Sequence, residues 1–138
     1  MTLSSRRVFK IKMSKRCFRF KDEALTNHAP QKPGVYEFVI FDQAGKASVL
    51  YVGLAESPAT IFSRLDDHLA DRAAPKAGEL FAAAKDVYFD YVADADVEDP
   101  CEFKDIAKAL AQKHQPRFNS EPIAASGRHA EVLIEEID

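Results

Sequence analysis

Two tyrosines, an arginine, a histidine and an asparagine stand where they could assemble a site that handles phosphate. "GVY", Gly34 to Tyr36, and "YVG", Tyr51 to Gly53, are separated by fourteen residues that include a turn signal at Gln43–Lys46. If the flanking runs "GVYEFVIFD" and "ASVLYVGLA" pair as an antiparallel hairpin, Tyr36 and Tyr51 become neighbours on one sheet. Arg64 and His68 follow in "TIFSRLDDHLA", four apart and therefore on one face of a helix. That face lies about 100° from the apolar stripe Ile61, Leu65, Leu69, so it borders the core. Phenol, guanidinium and imidazole at one sheet edge can bind an oxyanion and move a proton. Each residue also has a plainer use: sheet aromatics, an ion pair of Arg64 with Asp67 or Asp71, a structural histidine, a turn-capping Asn119.

The elements that must position these residues read as strand, helix, strand, strand, helix, strand, helix, strand. "VFKIKM" alternates apolar and basic residues, as a half-buried strand with Phe9, Ile11 and Met13 inward would. "KDEALTNHA" is a short helix, and the hairpin follows it. Ser57 is the expected cap of the next helix, with Pro58 at its first position. "AGELFAAAK" suggests a further short helix and "DVYFDYVAD" a third central strand. Asp99, Pro100 and Glu102 form a capping box for a helix carrying Phe103, Ile106, Ala107 and Leu110 inward, which Pro116 stops. "AEVLIEEI" is a last, acidic strand. The expected organisation is one compact α/β (α+β) domain in three segments: a basic strand and short helix over 1–33, a central unit over 34–119, and a loop with the acidic strand over 120–138.

Composition narrows the classes. The 138 residues are enough for one core, with 46% hydrophobic and 30% charged residues. No run is apolar enough to span a membrane or to read as a secretory signal, so a cytoplasmic protein with no membrane partner is expected. Two cysteines, Cys17 and Cys101, are too few for a disulfide framework and show no metal-type spacing. The net charge of −3 hides an asymmetry: residues 1–21 hold eight basic residues and no acid, leaving 11 basic against 22 acidic in the rest. A basic end on an acidic body can track a phosphate backbone, through Lys10, Lys12, Lys15, Arg16 and Arg19. The same strand could instead pair with the acidic C-terminal one and offset its charge.

"GVY", "YVG", Arg64 and "PRFN", Pro116 to Asn119, stand in the order found in the GIY-YIG nucleases, which this chain resembles from Gly34 to Asn119. That family includes homing endonucleases, some restriction enzymes and the incision domain of bacterial excision repair. His68 matches a histidine one turn after the arginine in some restriction members. The resemblance implies a three-stranded central antiparallel sheet flanked by helices, with an extra pairing of the terminal strands added by the reading above. It implies hydrolysis of DNA phosphodiester bonds with Mg2+ or Mn2+, the metal stabilising the leaving oxygen. Tyr36 would be the general base or orient the water, its pKa lowered from near 10 by positive charge. Arg64 would stabilise charge on the phosphate, Tyr51 would hold the phosphate or the water network, and His68 would bond the nucleophile or the phosphate. Asn119 would tie the last loop to the site.

The resemblance also places the metal-binding glutamate about a dozen positions before Asn119, and there the chain has Ala107. Glu102 lies about 140° away around the helix and Asp105 about 160°, so the inward face carries no carboxylate. Three accounts stay open: a substitution that abolishes cutting, a natural member that binds nucleic acid without cutting, or a helix shift that lets Glu102 substitute. The function classes are correspondingly an endonuclease, a non-catalytic nucleic-acid-binding module and a protein-interaction domain. With no recognition-helix motif or zinc knuckle, specificity falls to a partner in a homodimer, a fused protein or substrate shape. If the basic N-terminal residues contact duplex DNA, neutralising Lys10, Lys12, Lys15 and Arg16 lowers the log–log salt slope of affinity by roughly 0.9 per lost contact. If they serve only strand pairing, affinity measured over a salt series keeps its slope and the denaturant midpoint falls instead.

Overall fold

Strand β3, Gly34–Phe41, is the axis of the molecule, with every residue from Gly34 to Val39 buried. The computed structural model describes residues 6–137; Met1 to Ser5 and Asp138 of the terminal segments lie outside them. Strand β4, Ala47–Ala55, returns beside β3, and β5, Tyr88–Val92, pairs on the other side, all antiparallel. The two-residue β2, Phe18–Arg19, extends β5, so the order is β2–β5–β3–β4. The expected three-stranded core is therefore present, with a short fourth strand. The hairpin turns at Gly45, whose φ of +82° suits glycine.

Alternation along β3 sends Tyr36 and Phe38 to one face and Val35 and Glu37 to the other. The first face packs with helices α1, Asp22–His28, α2, Ile61–Leu69, and α3, Ala77–Ala83, through Leu25, Ile61, Leu65 and Leu80. The second packs with α4, Phe103–His114, through Ile106, Ala107 and Leu110. Also on that side lie β1, Arg6–Lys12, β6, Asp94–Ala95, and β7, Glu131–Glu136, which form a second sheet in the order β6–β1–β7. The terminal strands thus pair as expected, in parallel, with Arg6 opposite Glu131 and Lys10 opposite Glu135. Phe9 and Ile11 are fully buried, while Met13 is only partly so.

Two helix starts test the capping readings. Asp99 and Glu102 do form a capping box, but it opens a 3-10 turn, Pro100–Glu102, that runs into α4. The α2 start differs from expectation. Thr60, not Ser57, is the cap: its Oγ1 accepts from the Ser63 N–H at 3.0 Å, and its own N–H donates to Ser63 Oγ at 2.8 Å. The reciprocal pair satisfies two orphan donors at once. Its inward face also differs, with Ile61, Leu65 and His68 buried and Leu69 only partly so.

The charged face of β1 contributes little to stability. Arg6 and Glu131 sit 3.8 Å apart with both side chains nearly two-thirds exposed. Stability at this strand comes from its apolar face. Phe9→Ala is expected to cost about 3–5 kcal/mol, and Lys12→Ala to stay within about 0.5 kcal/mol, both read from urea midpoints.

Candidate functional site

The hairpin and α2 bring three of the expected residues together. The Tyr36 hydroxyl lies 2.7 Å from His68 Nε2. Nδ1 of the same ring is 3.0 Å from the Pro75 carbonyl oxygen, which can only accept. Nδ1 therefore carries the proton in the neutral ring, Nε2 presents its lone pair, and the Tyr36 O–H donates to it. Tyr36, Phe38 and Tyr51 surround the imidazole with ring centroids 5.6, 5.1 and 5.4 Å away. Gly53 is what lets Tyr36 lie flat against β4: a Cβ there would fall 2.1 Å from Tyr36 Cζ. Gly34 is required for a similar reason, since a Cβ would fall 2.3 Å from the Val92 carbonyl oxygen.

Arg64 borders this cluster. Its Nη1 is 3.3 Å from Asp67 Oδ2, the plainer pairing weighed from sequence, and its side chain is about one-third exposed at 34%. Its charge still acts on Tyr36, Tyr51 and His68. Asn119 is bonded to β4. Its Oδ1 accepts from the Val52 N–H at 2.8 Å and its Nδ2 donates to the Val52 carbonyl at 2.9 Å. Together with the Phe118 N–H donating to the Leu50 carbonyl at 3.0 Å, this pins the loop after α4 along the open edge of β4.

The electrostatics reverse one expectation. Burial pushes the Tyr36 phenol up, with Tyr51 adding to the rise and Arg64 opposing it. A lowered pKa at Tyr36 is thus not what this environment produces: the ring is fully buried, and desolvation outweighs one partly exposed guanidinium. Burial raises Tyr51 as well, and lowers His68, which keeps the imidazole neutral. A groove of about 650 Å3 runs beside the cluster, lined by Tyr51, Pro75, Arg117, Phe118 and Asn119 among others. Tyr36 and His68 lie behind its wall, so Tyr51 is the tyrosine that reaches it. Glu56, Glu79 and Glu121 also line it against Arg117, which gives the groove a net negative lining.

The remaining expected residues lie elsewhere. Ala107 is fully buried in the apolar cluster with Val35, Val52 and Val92, on the face of the sheet away from Tyr36. Glu102 does not substitute for a glutamate there. Its Oε1 accepts from the Glu98 and Asp99 N–H groups, and its Oε2 faces His129 and Arg128. An Mg2+ or Mn2+ ion at the position the resemblance implies does not fit these residues, because α4 offers it an alanine methyl and Glu102, the substitute weighed for it, is already committed. Lys10, Lys12, Lys15, Arg16 and Arg19 are exposed, and Arg19 pairs with Asp86 at 3.4 Å. Sequence reasoning missed the Pro75 carbonyl, since a backbone acceptor has no residue-type signal. It also missed Glu37 opposite Asp90, for which the acidic residues in two strand-like runs were the available sign.

Compared with models of known protein families, with curated proteins and with solved structures, the chain matches none.

The Tyr36–His68–Pro75 chain carries a stability expectation. Tyr36→Phe leaves Nε2 of His68 buried without a donor and should cost about 1–3 kcal/mol. Gly53→Ala forces the Tyr36 ring to move and should cost at least as much, by overpacking at about 1–3 kcal/mol. Denaturant midpoints measure both; a neutral Gly53→Ala would show that Tyr36 does not pack on β4 as described.

Proposed function

We propose that the chain is an endonuclease-type domain of the GIY-YIG plan, directed at DNA phosphodiester bonds, with cutting disabled at Ala107. One observation carries this reading. Tyr36, Tyr51 and His68, drawn from three elements, meet in one cluster under the charge of Arg64. Asn119 fixes the loop to the strand that holds Tyr51 and Gly53. In that cluster the Tyr36 O–H donates to the neutral His68 ring at 2.7 Å, and burial keeps the proton on the phenol, so the pair orients the site and does not supply a charged base. Tyr51 and Arg117 face the groove and would meet a phosphate there. DNA as partner and a cytoplasmic setting belong to the same reading.

A second reading, a non-catalytic nucleic-acid-binding module on the same plan, is favoured by the full burial of Ala107 among apolar side chains. With an alanine methyl at position 107, phosphate binding is the part of the function these residues still support.

Both readings are tested by DNA affinity, read by fluorescence anisotropy, beside cleavage with Mg2+ and Mn2+ on duplex and branched substrates. Binding without cleavage is expected from the chain as it stands. Arg117→Ala removes the cation that lines the groove and should weaken binding about tenfold or more. Ala107→Glu separates the two readings. Cleavage gained by this variant supports the endonuclease plan, and a folded but inert variant supports the binding module. The absence of DNA binding by the unmodified chain sinks both.

A further inference from the structure

Glu37 and Asp90 face each other across β3 and β5, on the side of the sheet away from Tyr36. Glu37 is 3% exposed. Glu37 Oε2 and Asp90 Oδ1 are buried and take no hydrogen bond from any described residue. Nothing in the Tyr36 cluster uses them. Two carboxylates directly opposed on paired strands cannot both stay ionised in a buried setting; a cation, either a proton or a metal, has to neutralise part of the charge. The residues at either end of the pair decide which. Cys17 Sγ lies 3.8 Å from Asp90 Oδ2, and His114 Nε2 lies 3.6 Å from Glu37 Oε2. Zn–O and Zn–N bonds near 2.0–2.1 Å and a Zn–S bond near 2.3 Å give a tetrahedral site edges of roughly 3.3–3.6 Å, close to both separations.

We propose that Cys17, Glu37, Asp90 and His114 form a binding site for a thiophilic divalent cation of the zinc type. Sulfur and imidazole donors beside two carboxylates select such an ion over magnesium. Each donor comes from a different part of the chain: the link between β1 and β2, strand β3, strand β5, and the last residue of α4. An ion held there would staple the main sheet to α4 and to the end of the basic segment. No three of the four donors have ligand atoms within 4.8 Å of one another, so binding requires Cys17 and His114, neither of them buried, to turn from the ends of the row onto an ion placed between the carboxylates. Binding exchanges the Cys17 thiol proton and the proton the carboxyl pair shares for one dication, and both protons go to the buffer. Without an ion, burial and the Asp90 carboxylate push the thiol up to about 12, and burial raises both carboxyls.

A second donor group, Glu102, Asp105 and His129, has its ligand atoms within 4.8 Å of one another. It is the less suitable site, because its carboxylate oxygens already have partners in Glu98, Asp99, Ser126, Arg128 and His129.

The test is titration of the reduced full chain with Co2+, followed by competition with Zn2+. The expected result is a thiolate-to-cobalt charge-transfer band that Zn2+ abolishes. Cys17→Ser should remove the band and Cys101→Ser should leave it. Glu37→Gln and Asp90→Asn are close in shape to the native residues, and each should weaken Zn2+ binding at least tenfold in variants shown folded by circular dichroism. Three outcomes overturn the proposal: no Co2+ or Zn2+ binding, binding lost with His129→Ala but kept with Cys17→Ser, or Glu37→Gln changing stability while leaving Zn2+ affinity untouched. The last would mean that the pair holds a proton only. None of these readouts depends on DNA binding or cleavage.

Discussion

Strand β3 is buried on both faces, and every polar group it carries must find its partner inside the protein. A strand in that position is expected to be apolar throughout, and most of "GVYEFVIF" is. Tyr36 and Glu37 are the exceptions, and they point in opposite directions. The Tyr36 hydroxyl is matched by an imidazole from α2, which is in turn oriented by the Pro75 carbonyl. The Glu37 carboxyl meets Asp90 and the edge of His114. Those two demands account for much of what surrounds the strand: why α2 turns His68 inward where a leucine stripe was expected, why Gly53 stands opposite Tyr36, and why the end of α4 closes over Glu37.

The same constraint shapes the functional reading. A tyrosine sealed at the centre of a sheet meets water or phosphate only through movement of its neighbours, so Tyr51 and Arg117 form the accessible front and the Tyr36–His68 pair the interior behind it. The edge strand β4 is the other half of this arrangement. An open strand edge offers N–H and C=O groups to any other strand. Here Asn119 uses its amide as a surrogate backbone and occupies both polar groups of Val52. The groove therefore has a wall made by a side chain, with the loop after Pro116 held against the strand that carries Tyr51.

The second sheet closes the side of the molecule where Ala107 lies. Strand β1 is its centre, held by β7 on one side and by β6 on the other, where the Lys10 N–H donates to Asp96 Oδ1 at 2.9 Å. Phe9 and Ile11 join Val35, Val52 and the α4 residues in one apolar cluster. Among the described residues no helix is long and apolar enough to cross a membrane. The outward lysines of β1 remain exposed, so the strand satisfies its packing role without using up its charge.

The sequence by itself determined the order and type of the main elements, because each is written in local chemistry. Alternation marked β1, aromatic and β-branched runs marked the central strands, and the Asp99–Glu102 box and Pro116 bounded the last helix. It also determined that Tyr36 and Tyr51 would be neighbours, since a four-residue turn leaves a hairpin little choice of partner; the expectation that α4 buries no carboxylate fails, because Asp105 is buried with its carboxylate bonded to Ser126. Tertiary structure decided what depends on groups distant in the chain. The parallel pairing of β1 with β7 joins segments more than a hundred residues apart. The inward turn of His68 depends on a backbone carbonyl that has no sequence signature, and the raised pKa of Tyr36 depends on burial, which outweighs the nearby arginine. The juxtaposition of Glu37 with Asp90 is set by strand register, and register is fixed by how whole faces pack, not by either local run.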